Sequence, residues 1–147
     1  MKKLLLLANV LIVSVGLFAQ TQTQAKPEVV KFKEVKYDFG KIKQNIPATH
    51  DFVFTNVSDA PVVIESTVAS CGCTTPVKPE GAIPKGKTEK ITASYNAAAA
   101  GPFNKTITVK IAGQDQPIQL NITGEVLTAD AYAKYASEKQ KSVKTGS

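Results

Sequence analysis

Alternation of apolar and polar residues, one by one, recurs along this chain and leaves few folds open to it. Phe103, Ile107, Val109 and Ile111 alternate with Asn104, Thr106, Thr108 and Lys110. Ile118, Leu120, Ile122 and Val126 alternate with Gln119, Asn121, Thr123 and Glu125, and Ile91, Ala93 and Tyr95 with Lys90, Thr92, Ser94 and Asn96. A period of two puts one side of each segment in a core and the other in water, as antiparallel sheets require. Val35, Tyr37 and Phe39 form an earlier strand that ends at Gly40. Phe52 and Phe54 mark another, ending in Asn56–Asp59, and Pro61–Ala69 is a third, with Val62, Ile64 and Val68 on its core face. Turn clusters separate these runs: Asp59-Ala-Pro61, Pro84-Lys-Gly86, Gly101-Pro102 and Gly113-Gln-Asp-Gln-Pro117. The reading is all-β, a two-sheet antiparallel β-sandwich of about seven strands, with a small closed barrel as the alternative. At 43% hydrophobic and 20% charged residues the chain has the composition of a globular protein, not of a disordered one.

Outside the alternating region the pattern changes. Met1-Lys2-Lys3 precedes an apolar run from Leu4 to Phe18 and then Ala19. That is the charged start, hydrophobic middle and small residue of an export signal, and the run is shorter than the about 20 residues of a membrane span. The expected division is a signal peptide over 1–19, cleaved after Ala19 (alternatively Ala25), a flexible lead-in over 20–28, the sandwich over 29–127 and a C-terminal tail over 128–147. No transmembrane span is expected in the mature chain, which would work in the periplasm or outside the cell. The tail has helix formers and no glycine before Gly146, so it is expected to be a short, frayed helix or disordered. Thr74–Gly86, with Pro76, Pro79 and Pro84, cannot be a central strand and reads as a stiff loop.

The inventory of reactive side chains is small. His50 is the one histidine, Met1 the one methionine, and Cys71 and Cys73 are the two cysteines. Zinc sites of the Cys₂His₂ or His₃ kind, a HExxH protease, a haem His/Met pair and a Cys₄ cluster all need more ligands than this. There is no GxGxxG or GxxxxGK[ST] loop. All 18 basic residues are lysines, and the net charge of +6 drops to +4 once Lys2 and Lys3 are removed. Scattered lysines without arginine lack the bidentate grip on phosphate and on guanine, so nucleic acid is not an expected partner. Three N-x-[ST] triplets, at Asn56, Asn104 and Asn121, carry no functional weight in strands rich in Asn and Thr.

Cys71-Gly72-Cys73-Thr74 is the one uncommon chemical feature. Three readings stand. One is a Cys71–Cys73 disulfide, for which the about 6.6 Å between Cα atoms two apart on an extended strand must shorten by a local bend. Another is a soft-metal pair for copper or zinc. In the third, two small side chains simply pack at a sheet end. With Val62 and Ile64 facing the core, regular alternation would put Cys71 and Cys73 on the opposite face, with Glu65 and Thr67. A catalytic Cys71 would need His50 as its base. His50 is in phase with Phe52 and Phe54, however, and Asp51 points the other way, so no catalytic residues and no cofactor are expected.

A series of motifs runs Tyr37-Asp-Phe-Gly-Lys-Ile42, His50-Asp-Phe-Val-Phe-Thr-Asn56, Pro61-Val-Val-Ile64 and Ser70-Cys-Gly-Cys-Thr-Thr-Pro76. It continues with Ile83-Pro-Lys-Gly86, Ile91-Thr-Ala-Ser-Tyr95, Gly101-Pro-Phe-Asn-Lys-Thr-Ile107 and Ile122-Thr-Gly-Glu-Val126. In this order the motifs resemble the bacterial "domain of unknown function 1573" family. The resemblance covers about Val35 to Val126, and the layout is more distantly similar to major-sperm-protein and pilus-chaperone-like sandwiches. It implies an exported immunoglobulin-like domain with a Cys-Gly-Cys-Thr motif, and it implies no activity. The expected role is therefore a non-enzymatic module contacting a protein partner in the bacterial envelope or outside the cell. The alternative is thiol redox or copper/zinc handling by Cys71 and Cys73.

Overall fold

The structure, a computed structural model, describes residues 28–145, with side chains as far as residue 141. The expected signal peptide, both cleavage positions and all but the last residue of the lead-in lie outside the described residues. Among the described residues nine strands and one helix follow one another: β1 (Val30–Phe32), β2 (Lys36–Lys43), β3 (Ala48–Asn56), β4 (Val62–Ala69), β5 (Thr74–Val77), β6 (Ala82–Ile83), β7 (Thr88–Tyr95), β8 (Gly101–Ile111), β9 (Ile118–Leu127) and α1 (Ala129–Thr145). They form two sheets, in the orders β1-β3-β7-β5 and β2-β9-β8-β4-β6. Every pairing is antiparallel except that of β2 with β9, which run parallel.

The alternating residues meet between the sheets. Phe52, Phe54, Ile64, Ile91, Ile107, Leu120 and Ile122 are fully buried, and among the residues whose side chains are described none from α1 belongs to this core. A column of rings links the two layers. His50 of β3 stacks on Tyr37 of β2 at 3.6 Å between centroids, and Phe103 of β8 stacks on Tyr95 of β7 at 4.1 Å. Phe39 stands between them, 6.5 Å from His50 and 6.3 Å from Phe103. Phe103 also lies over Gly124. A Cβ there would come within 2.8 Å of its ring and of the Gly40 carbonyl, so only glycine lets the strands approach this closely.

Two expectations are corrected. Thr74–Gly86 is not wholly loop, because β5 and β6 lie in it. Both are edge strands, and Pro76 pairs opposite Ala93 at an edge, where a missing donor is tolerated. Val68 is not in the core: it is 60% exposed. The register of β4 against β8 shifts between Ile64 and Ser66, a β-bulge whose extra residue reverses every later side chain. Beyond it Thr67 and Ala69 face the buried Val109 and Ile107, while Val68 pairs with Thr108 on the outer face.

Candidate functional site

The strand ends at Ala69, and the chain bends and turns through Ser70–Cys73, so the unbroken alternation that would put both cysteines on the outer face does not carry through to them. Cys73 packs against the core, and both residues are half-buried. They sit where the chain leaves one sheet for the other, between β4 and β5. A turn closes over Gly72, in which the Thr74 N–H donates to the Cys71 carbonyl at 3.3 Å. This brings the two Cα atoms to 5.3 Å, and the sulfurs are joined in a disulfide. The flanks are held independently of sulfur. The Ser70 N–H donates to the Thr106 carbonyl (2.8 Å), the Thr106 N–H to Ser70 Oγ (3.1 Å), and the Asn96 N–H to the Cys73 carbonyl (3.0 Å). Cys71 Sγ lies 3.8 Å from the hydroxyl of Thr74, which is itself buried. Gly72 has open space where a Cβ would stand, so bulk does not demand glycine there.

A bond that spans one residue removes little freedom from the unfolded chain. The loop-entropy argument assigns it about 1–2 kcal/mol, against about 3 kcal/mol for a 15-residue loop. Its chemistry is that of an oxidised dithiol, and in this form the two sulfurs offer no thiolate pair to a soft metal.

His50 is not brought to these sulfurs as a base. Its ring is enclosed by Tyr37 and Phe52, and its Nε2 lies 3.0 Å from Glu34 Oε1, with 15% of the side chain exposed. Asp51, on the outer face, accepts hydrogen bonds from Lys90 Nζ (2.7 Å) and Thr92 Oγ1 (2.6 Å). The Lys90 ammonium and then the Thr92 hydroxyl hold its carboxyl below the usual carboxylate range. Asn56 has a structural place. Its amide donates to the Ala60 and Ile83 carbonyls, and its oxygen accepts from the Ser58 N–H and hydroxyl, all within the protein. Among the described residues, no three of His, Cys, Asp and Glu are grouped so as to hold a metal ion.

A second feature was not read from the sequence. Helix α1 lies along edge strand β2, and between them is a groove of about 880 Å³ lined by Asp38, Phe39 and Lys41 on one side and Tyr132, Tyr135 and Lys139 on the other. The Thr128 hydroxyl caps the helix, accepting from the Ala131 N–H at 3.4 Å. Lys41 Nζ rests 5.0 Å from the centre of the Tyr135 ring, a cation–π contact tying helix to sheet. The signal for this site was the i, i+3 spacing of Tyr132 and Tyr135. Nothing in the sequence said which strand the pair would meet. No helix among the described residues is long and apolar enough to cross a membrane, which says nothing about β-barrels.

Among curated protein sequences, none matches this chain. Among solved structures, it resembles a protein of unknown function from Porphyromonas gingivalis W83, with a TM-score of 0.58 and 14% identity over 66% of this chain and 46% of that one. It also resembles PapD-like domain 7 of human CEP192, with a TM-score of 0.55 and 8% identity over 74% of this chain and 93% of that domain. The secreted serine protease VesC from Vibrio cholerae is matched at a TM-score of 0.53 and 15% identity, over 67% of this chain and 23% of the protease. The chain thus spans less than half of the Porphyromonas protein and about a quarter of the protease. At these identities the likeness establishes an immunoglobulin- and PapD-like sandwich and nothing about activity. Residues 30–126 match the family described as "Protein of unknown function (DUF1573)", and the chain belongs to that family.

Proposed function

We propose that this chain is an exported, non-enzymatic module that binds a protein partner in the bacterial envelope or outside the cell. The observation that carries this reading is the groove between β2 and α1. Strand β2 is hydrogen-bonded on one side only, to β9, and so its other edge can accept an added strand. Tyrosines give a partner large, rigid contact area with a polar tip, and they are enriched at interfaces. Lys36, Lys41 and Lys43 along β2 favour an extended segment of acidic character. The leader-like residues 1–19 support export.

The test is capture from envelope extracts of the producing cell, with the mature chain and a Tyr132→Ala/Tyr135→Ala variant compared side by side. A partner held by the first and lost by the second, with an unchanged melting temperature, supports the reading. A partner held equally by both, or none at all, overturns it. N-terminal sequencing of the exported protein is expected to begin at Gln20.

A further inference from the structure

Packing alone leaves the Cys71–Cys73 bond without a purpose. It encloses only Gly72, and the turn around it is fastened by backbone hydrogen bonds from Thr74, Ser70 and Asn96 that do not pass through sulfur. Opening the bond therefore leaves those fastenings in place and the two side chains within reach of each other. A staple would be arranged differently, joining segments far apart in the chain, where loop closure has most effect.

We propose that Cys71–Cys73 is a reversible thiol–disulfide exchange site whose co-substrate is a dithiol carried on a polypeptide. A thiolate of the co-substrate attacks Cys71 Sγ. The Cys71–Cys73 bond breaks, Cys73 leaves as a thiolate that takes up a proton, and a mixed disulfide joins the co-substrate to Cys71. The second thiol of the co-substrate gives up its proton and attacks the co-substrate sulfur held in that mixed disulfide, which releases Cys71 as a thiolate that takes up a proton in turn. The co-substrate leaves with a new disulfide, and the chain has gained two electrons and two protons. In the reverse direction Cys71 is the attacking sulfur and Cys73 resolves. The two environments fit these roles. Cys73 packs against the apolar core, where a thiolate is disfavoured, whereas the Thr74 hydroxyl 3.8 Å from Cys71 Sγ can donate to a thiolate there.

The experiment uses the mature, oxidised chain mixed with a reduced Cys-x-x-Cys peptide. Samples are acid-quenched and alkylated, and thiols are counted by intact mass. One peptide is expected to be oxidised per chain, with two thiols appearing on the chain and full recovery of the bond when oxidised peptide is supplied. Reduction is expected to move the melting temperature by no more than about 10 °C. Of the single variants, Cys73→Ser is expected to form a mixed disulfide with oxidised glutathione about tenfold faster than Cys71→Ser, and Thr74→Val to slow it. A bond that persists in excess reduced peptide overturns the proposal, and so does reduction that requires unfolding. Reaction with dithiothreitol but not with the peptide overturns the polypeptide co-substrate, and equal rates for the two serine variants overturn the role given to Cys71. These sulfurs are not part of the β2–α1 groove, so failure here leaves the binding reading standing, and the reverse holds too.

Discussion

Asn56 shows how one residue can hold three segments in place. Fully buried at the end of β3, it spends both amide hydrogens on the carbonyls of Ala60 and Ile83 and its oxygen on Ser58. Asn56→Ala leaves the Ile83 carbonyl unpaired in a buried site, while the Ser58 hydroxyl still donates to that of Ala60, and is expected to cost about 1–3 kcal/mol, measured as a drop in the denaturant midpoint at unchanged slope. The same burial keeps the Asn56 amide from serving as a glycan acceptor in the folded protein. Asp51 gives a pH-dependent counterpart at the surface. Its carboxyl is held below the ordinary value of 3.8 by Lys90 and Thr92, so the folded protein binds that proton less readily than the unfolded chain does. Its contribution to stability is complete above that ordinary value and is lost as pH falls through the lower folded one. Asp51→Asn is expected to flatten the acid limb of stability against pH and to leave the curve above about pH 5 parallel to that of the parent. Denaturation midpoints across that range check it.

Among the elements, β4 departs most from its sequence pattern. Val62, Ile64 and Val68 share a parity, yet the bulge between Ile64 and Ser66 sends Val68 outward. Ile64→Ala is expected to cost about 2–5 kcal/mol, as emptying a buried site does, while Val68→Thr is expected to stay within about 0.5 kcal/mol. An unbroken strand would make both costly, so comparing the two denaturation curves locates the bulge. Helix α1 stands apart from the core and meets the sandwich through Tyr132, Tyr135 and Ala136 on one half-buried face. Ending the chain at Thr128 is expected to leave the sheet signal in circular dichroism and the cooperative melt intact, while partner capture is lost.

For the whole molecule, the decisive contact is between the ends of the domain. β2 pairs in parallel with β9, bringing Tyr37 beside Ile122 and Ile42 beside Val126 across most of the chain. Such pairing is satisfied only after the intervening strands are in place, so folding is expected on the millisecond-to-second scale of sandwiches. A chain that starts at residue 44 loses β1 and β2, and with them the Tyr37 and Phe39 rings that link the sheets. It is expected to give no cooperative melt, whereas the chain ending at Thr128 does. The two truncations together mark residues 30–127 as the folding unit.

Alternation by itself determined the layers. The inward positions of β3, β7, β8 and β9 could be named in advance, because a period of two has one solution when a face must be buried. The cysteine pair was equally plain as composition, though its spacing left a disulfide, a metal pair and simple packing all open. Only the tertiary structure decided the rest. One extra residue in β4 reversed the face of Val68, and a bulge depends on the partner strand's register, which the local pattern does not contain. The short strands β5 and β6 formed in a proline-rich stretch because a sheet edge forgives a missing donor. Where α1 comes to rest was also undetermined, since the Tyr132–Tyr135 face acquires meaning only from the strand it meets. Local pattern specifies which faces are buried, and long-range pairing specifies what each face is buried against.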